Sequence, residues 1–450
     1  MTDNTEITSL TVVELASAIG QGRISAETAV RAYLGRIEAR ESDVRAWVHL
    51  DADGAIAQAR AVDDLVRRGL PTPVLAGVPV GIKDIIDTAD MPTQCGSPAY
   101  KDRQPAHDAV CVERLRSAGA IVLGKTVTTE LATLTPNVTR NPHNLEHTPG
   151  GSSSGSAAAV ADGMCPAALG TQTGGSVIRP ASFCGIYGFK PSFGAIPRVG
   201  VLEQSQTLDT VGVYGNSVED LALLMDVVGG FDGRDPACYR HMAGTHLRTV
   251  AGDYNIPPKV VFLRTPAWDA ADADTRAAFE ELVEALGDRV EEVNFDASLE
   301  IGLKAHKIIN DVELATHFGP ILDRNPGAVS ERLAQQIEGG RAISGRDYLD
   351  ALQLKDKLYA SLAEFFGSYS AIMTPAAPGP APHGLGATGS PIFNAFWTMM
   401  GTPAVTLPLL EAENGLPMGV QLIGARRDDA RLLRSARLFE RALMETADEA

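Results

Sequence analysis

The sequence is poor in cysteine and in basic residues, and each shortage removes a class of function. Its five cysteines, Cys95, Cys111, Cys165, Cys184 and Cys238, are an odd number, widely spaced and without a CxxC pair. That excludes a disulfide framework and fits reduced thiols in a cytoplasmic setting. Lysine and arginine number 39 against 56 aspartates and glutamates, a formal charge of −17, so the surface should repel polyanions and nucleic acid is not the expected partner. There is no GxxxxGK[ST] phosphate loop and no HExxH, so neither a nucleotide nor a metal cofactor is implied. The first ten residues, MTDNTEITSL, lack the basic start and apolar core of a signal peptide. Residues 365–410 contain no Asp, Glu, Lys or Arg, yet Pro375, Pro378, Pro380 and Pro382 exclude a membrane helix there.

What is present is the composition of a globular protein: 44% hydrophobic and 21% charged residues over 450 positions. Apolar spacing predicts helices on either side of Gly20 and Gly22, the second starting at Ser25. VLAGVPVGIKDIIDT (74–88) reads as a buried strand and DAVCVERLRSAG as a helix. AIVLG (120–124) reads as a strand, TTELATL as a helix start, VEDLALLMDVV as a helix and KVVFLR as a strand. The βαβα order favours a mostly parallel or mixed sheet with helices on both faces. Residues 270–366 read as a charge-rich helical cover, residues 365–410 as a pocket wall with buried strands, and GLPMGVQLIG as a strand before a closing helix from Asp428.

The chain is organised around Thr148–Gly185, TPGGSSSGSAAAVADGMCPAALGTQTGGSVIRPASFCG, which holds six serines, two Gly-Gly pairs, Arg179, one acidic residue and no lysine. Glycine lets successive N–H groups converge on one anionic oxygen, which is what the tetrahedral intermediate of acyl transfer requires. Thr173-Gly174-Gly175-Ser176 is therefore read as a donor loop ending in a nucleophile. A flexible linker is excluded by the apolar helix and strand between the glycine pairs. Lys83, set in its apolar run, is a candidate base, because burial can lower an amine from its usual value near 10.4; the competing reading is a structural ion pair with Asp84 or another carboxylate. Gly151-Ser152-Ser153-Ser154-Gly155 matches the GxSxG elbow with Ser153 as nucleophile, but a loop precedes it where an elbow needs a strand. Cys184 has apolar neighbours and nothing to lower its pKa. His143 and His147 lie in a proline-containing loop rather than on a helix face, so they are set aside as metal ligands.

These residues resemble the amidase signature family, whose pattern runs GGSS-G-SA, then about twenty residues, then GTDTGGS with a nearby arginine and proline. The likeness extends to VGIKDIIDT, KTVTTEL (125–131), CGIYGFKPSFG (184–194), LDTVG (208–212) and GLPMGVQLIG (415–424). It implies an α/β amidase signature fold, a central mixed twisted sheet covered by helices on both faces. One domain would span residues 1–450, with the signature core at about 70–230. It implies Ser176 as nucleophile, Ser152 as a bridging serine in a cis peptide and Lys83 as base. The N–H groups of Thr173, Gly174, Gly175 and Ser176 would form the oxyanion hole, with Ser154 behind the triad orienting the loop or Lys83. Two departures stand out. Gln172 replaces the aspartate of TDTGGS, and Arg179 lies three residues past the nucleophile instead of two. Both resemble the malonamidase-like branch, in which the arginine binds a substrate carboxylate. The resemblance thus implies a cofactor-free, metal-free cytoplasmic amidase acting on a small-molecule amide or carbamate, with esters and aryl amides open as substrates. The resemblance also raises a homodimer and, as an alternative, a component of an amidotransferase complex, a subgroup from which Gln172 and Arg179 depart; the intact positions Lys83, Ser152 and Ser176 disfavour an inactive scaffold.

Overall fold

The computed structural model describes residues 4–240, 244–252, 258–295 and 298–449. Eleven strands make one sheet: β1 Trp47–Leu50, β2 Pro79–Lys83, β3 Ile121–Thr126, β4 Ala167–Gln172, β5 Tyr187–Lys190, β6 Thr210–Gly215, β7 Val260–Arg264, β8 Val290–Asn294, β9 Ala371–Pro375, β10 Ala404–Glu411 and β11 Pro417–Ile423. Their order is β1-β3-β2-β4-β6-β5-β10-β11-β9-β7-β8. β2 runs parallel to β3 and β4, and β7 parallel to β8 and β9, while the other pairs are antiparallel. The sheet is mixed, as the helix–strand alternation implies.

Both faces are covered, and alternation along each strand divides the core. Ala167 and Leu169 of β4 pack with Val80, Ile82, Val213 and Leu221 on one side. Ala168 packs with Tyr33, Leu123, Ala157 and Tyr214 on the other. Successive side chains of a strand point to opposite faces, so a strand buried on both reads as a near-continuous apolar run. This is why AALG and PVGI carry almost nothing else.

The helix Ser154–Ala161 is buried along nearly its whole length and lies against this sheet. A side chain at Gly155 would come within 2.4 Å of the Val127 backbone nitrogen. The glycine is therefore required for the close approach, and with it the serines that begin the helix are brought onto the sheet.

Two sequence expectations are corrected. TTELATL forms only a 3-10 turn at Glu130–Ala132, because Leu131 (φ 47°) and Ala132 (φ 59°) adopt left-handed backbone that stops a helix. The segment 270–366 is mainly helical but also supplies β8, VEEVN. β8 lies at the sheet edge with its glutamates exposed, so it lacks the apolar pattern of the central strands. No helix of the described residues is long and apolar enough to cross a membrane.

Candidate active site

Lys83 ends β2, and Thr171 and Gln172 end the neighbouring parallel strand β4. Parallel pairing brings the two strand ends together. Lys83 Nζ donates to Ser152 Oγ at 2.7 Å and to Thr171 Oγ1 at 2.8 Å. The lysine is fully buried, and burial holds its pKa well below the usual range, with the Asp209 carboxylate pulling the other way. No carboxylate among the described residues pairs with it. The amine is thus surrounded by hydroxyls, which accommodate its neutral form without requiring a charge.

Ser152 follows a cis peptide bond, Gly151–Ser152. Ser153, the elbow candidate, is buried, and its hydroxyl donates to Thr171 O and accepts from Thr171 N, both at 3.2 Å. With both roles spent on the β4 backbone, it is a poor nucleophile. Ser154 begins the buried helix, and its Oγ has no hydrogen-bond partner among the described residues. Cys184 is buried, and burial raises its pKa further above the thiol range. His143 Nε2 and His147 Nδ1 are taken up by the carbonyls of Cys184 and Ala381, at 2.9 and 2.7 Å.

The segment Thr173–Ser176 leads from β4 towards the helix Ile178–Cys184, and four different elements hold its carbonyls. His306 Nε2 donates to Thr173 O at 2.9 Å and Thr398 Oγ1 to Gly174 O at 2.7 Å. Arg179 N donates to Gly175 O at 3.0 Å and Tyr214 Oη to Ser176 O at 3.1 Å. The N–H groups of Gly174, Gly175 and Ser176 donate to no acceptor among the described residues. With their carbonyls held and these N–H groups unpaired, the segment has donors available to a developing oxyanion.

Gln172 explains its own departure from aspartate. Its Oε1 accepts from Val177 N and Ile178 N at 2.8 and 3.0 Å, while Nε2 donates to Thr398 Oγ1 at 2.9 Å. A carboxylate could accept the first two but could not donate the third. The amide therefore ties the turn to the helix Ala395–Met399, and the Thr398 hydroxyl in turn donates a hydrogen bond to Gly174 O.

Ser176 opens onto a cavity of about 500 Å³, also lined by Thr173, Gly174, Gly175 and Arg179. Its wall includes Gly389, Ser390, Pro391, Ile392 and Ala395 from the charge-free segment, and the helices Ser298–Arg324 and Glu331–Arg341 cover it. Arg179 is buried, donating from Nη2 to Gly151 O at 2.7 Å and to Thr388 Oγ1 at 3.3 Å. Its Nε and Nη1 have no partner among the described residues. Burial pushes its pKa down to about 10, so it remains charged at neutral pH. An uncompensated buried guanidinium costs several kcal/mol, roughly, unless an anion meets it.

Thr171, His306, Thr398 and Tyr214 were not singled out by the sequence. Thr171 and Tyr214 look like ordinary strand residues, and Thr398 lies in an apolar helix. His306 sits in a long charged helix whose pattern suggests a solvated face.

The amidase family profile matches residues 28–433. The chain is 31% identical to a glutamyl-tRNA(Gln) amidotransferase component of Clostridium acetobutylicum, covering 97% of this chain and 99% of the relative. Among solved structures it is similar to a chain from a vestigial protein complex linked to the evolutionary origins of an s-triazine catabolic enzyme. That match has a TM-score of 0.89 and 29% identity over 96% of this chain and 98% of the other. It is also similar to a crystal structure of an amidase, with TM-score 0.84 and 28% identity over 96% and 99%. The shared architecture and the glycine–serine core lead to one family: this chain belongs to the amidase signature enzymes.

Proposed function

We propose that the protein hydrolyses the C–N bond of a small amide bearing a free carboxylate, through Ser176, Ser152 and Lys83. The observation that carries this reading is the neutral-favouring environment of Lys83, 2.7 Å from Ser152 Oγ, together with a nucleophile candidate, Ser176, that faces the cavity. Lys83 accepts a proton from Ser152 as Ser152 takes one from Ser176. Ser176 Oγ then attacks the carbonyl carbon, and the resulting oxyanion is met by N–H groups of Thr173, Gly174, Gly175 and Ser176. Return of the proton to the nitrogen releases the amine or ammonia and leaves an ester on Ser176. A water, deprotonated by the same relay, opens that ester and restores the free serine. The proton that leaves on the nitrogen is replaced by one from the water, so the relay returns to its starting state.

Arg179 supports an acidic substrate, as in the malonamidase-like branch, because two of its donors are unmet and no carboxylate of the described chain neutralises it. Gln172 and Ser154 belong to the scaffold behind the loop in this reading. Amine release from malonamate, a neutral aliphatic amide, an anilide and an aryl carbamate tests it. For Arg179→Ala, KM for malonamate should rise about 10- to 100-fold, the loss of a charge-assisted contact, with little change on the neutral amide. Equal effects on both would contradict the carboxylate role, and a preference for the anilide or carbamate would favour aryl amide or urethane hydrolysis.

A second reading is supported by the relatives named as amidotransferase subunits: the chain would work as one component of a complex. Purified alone it would then release little ammonia from any amide. Substantial turnover by the isolated chain favours the hydrolase.

A further inference from the structure

The cavity that holds Ser176 is charged against the rest of the molecule. The chain carries 56 acidic residues against 39 basic ones. Among the described residues, however, the charged groups lining the cavity are three cations, Arg179, Lys307 and Arg332, and one carboxylate, Asp311. His306 adds no charge at neutral pH, because burial lowers its pKa from the usual histidine value. Asp311 is already met: its Oδ2 pairs with the Lys307 ammonium, and its Oδ1 accepts from Asn310 Nδ2 at 3.0 Å and from Gln336 Nε2 at 2.8 Å. A cleft with an excess of cations raises the local concentration of anions even in an acidic protein.

The two outer cations are open to solvent where Arg179 is not. Arg179 is 3% exposed and bonded to Gly151 O and Thr388 Oγ1. Lys307, on the helix Ser298–Arg324, has a side chain 74% exposed. An ion pair so open to water is worth little, so its ammonium is free to turn to a second carboxylate. Arg332 is exposed and has no hydrogen-bond or ion-pair partner among the described residues. The carboxylates near it in the chain and at its helix cap are spent elsewhere, Glu331 on Gln335 and Glu130 on the N–H and hydroxyl of Ser330. It also sits in the first turn of the helix Glu331–Arg341, which Ser330 caps, where the helix dipole disfavours a cation. The fold gains nothing electrostatic from a guanidinium there, whereas an anion in the cavity would.

We propose that Arg332 and Lys307 form a cationic lip that reads a carboxylate on the amine portion of the substrate, the carboxylate of the acyl portion being the one assigned to Arg179. The substrate class is then an amide joining a dicarboxylic acid to an amino acid, and hydrolysis adds water across the C–N bond to give the diacid and the free amino acid. A cavity of about 500 Å³ is in the range that holds a ligand of that size. This inference rests on the reading of the cavity as the acyl-transfer site, and its test separates the two.

The probes are N-(2-carboxyethyl)succinamate and N-(3-amino-3-oxopropyl)succinamate, which differ by a carboxylate against a carboxamide of the same shape. Binding is measured by calorimetry on Ser176→Ala, and hydrolysis on the unmodified chain. The dianion should bind at least about tenfold tighter at low salt, the worth of one charge-assisted contact, and added salt should shrink the ratio. Arg332→Gln should bring the ratio to within about twofold of one while binding of the carboxamide probe, which reports an intact cavity, holds. Lys307→Gln should lower the ratio as well, because Asp311 then faces the cavity without its ammonium. Lys357→Gln, which removes one exposed charge outside the cavity, should leave the ratio unchanged. Equal binding of the two probes, failure of both to bind, a preference that survives Arg332→Gln, or an equal loss in Lys357→Gln would overturn the lip. Arg332-dependent preference for the dianion without hydrolysis would uphold the lip and refute the catalytic reading, whereas equal binding with hydrolysis of both would do the reverse.

Discussion

Two fully buried lysines on adjacent parallel strands differ in everything except burial. Lys83 ends β2, and Lys125 lies near the end of β3, opposite Ile82. Lys125 Nζ sits 3.6 Å from Asp84 Oδ1 and donates to Ile86 O at 2.7 Å and Thr93 Oγ1 at 2.5 Å. Among the described residues, Lys83 Nζ hydrogen-bonds only to the hydroxyls of Ser152 and Thr171. Burial lowers both amines, but at Lys125 the Asp84 carboxylate opposes the shift directly. The carboxylate next to Lys83 in sequence is thus bonded to the neighbouring strand's lysine. The contrast teaches that burial alone does not make a base: Lys125 has a carboxylate within ion-pair reach and Lys83 has none, which is why the proton-transfer role is proposed for Lys83.

The largest effect that would break this contrast is the loss of either amine. Lys83→Met should lower kcat/KM by about 10²–10⁴-fold, the usual worth of a general base, while the chain stays folded. It should also be more stable than the parent at neutral pH. The folded lysine has a lowered pKa, so the unfolded chain binds a proton that the folded chain does not, and parental stability rises with pH between that lowered value and about 10.4. The difference in melting temperature should therefore narrow as pH approaches 10, and thermal denaturation of both chains across that range checks it. Lys125→Met should do the opposite, costing about 3–5 kcal/mol by leaving Asp84 unpaired, with kcat of the folded fraction nearly unchanged. Adding Asp84→Asn should recover most of the loss in denaturant titration. The smallest effect is at Thr171, where Thr171→Val removes one acceptor from Lys83 and should reduce kcat/KM by about five- to tenfold.

The sequence carries this site unevenly. Lys83, Ser152 and Ser176 are legible because acyl transfer needs a buried amine, convergent N–H groups and a hydroxyl, and the glycine–serine spacing of a known family matches those needs. The mixed sheet is legible because its central strands, buried on both faces, are short apolar runs. What organises the loop is not. His306 and Thr398 reach Thr173 and Gly174 from more than 130 residues away in sequence, and no local pattern encodes such contacts. Gln172 reads as a departure from a motif until Thr398 stands opposite its NH2. β8 fails as a strand by periodicity because an edge strand need not be apolar. TTELATL fails as a helix because Leu131 and Ala132 have left-handed backbone, which their residue types do not announce.

The central claim is that Lys83 gives up its proton more readily than Lys125, and NMR of the lysine side chains tests it most directly. With ¹³Cε-labelled lysine, and Lys83→Met and Lys125→Met used to assign the two resonances, a pH titration follows each amine separately. The account predicts that Lys83 loses its proton at lower pH than Lys125, and that its midpoint coincides with the acid limb of kcat/KM. A Lys83 midpoint near the ordinary value of about 10.4, or one above that of Lys125, would contradict it.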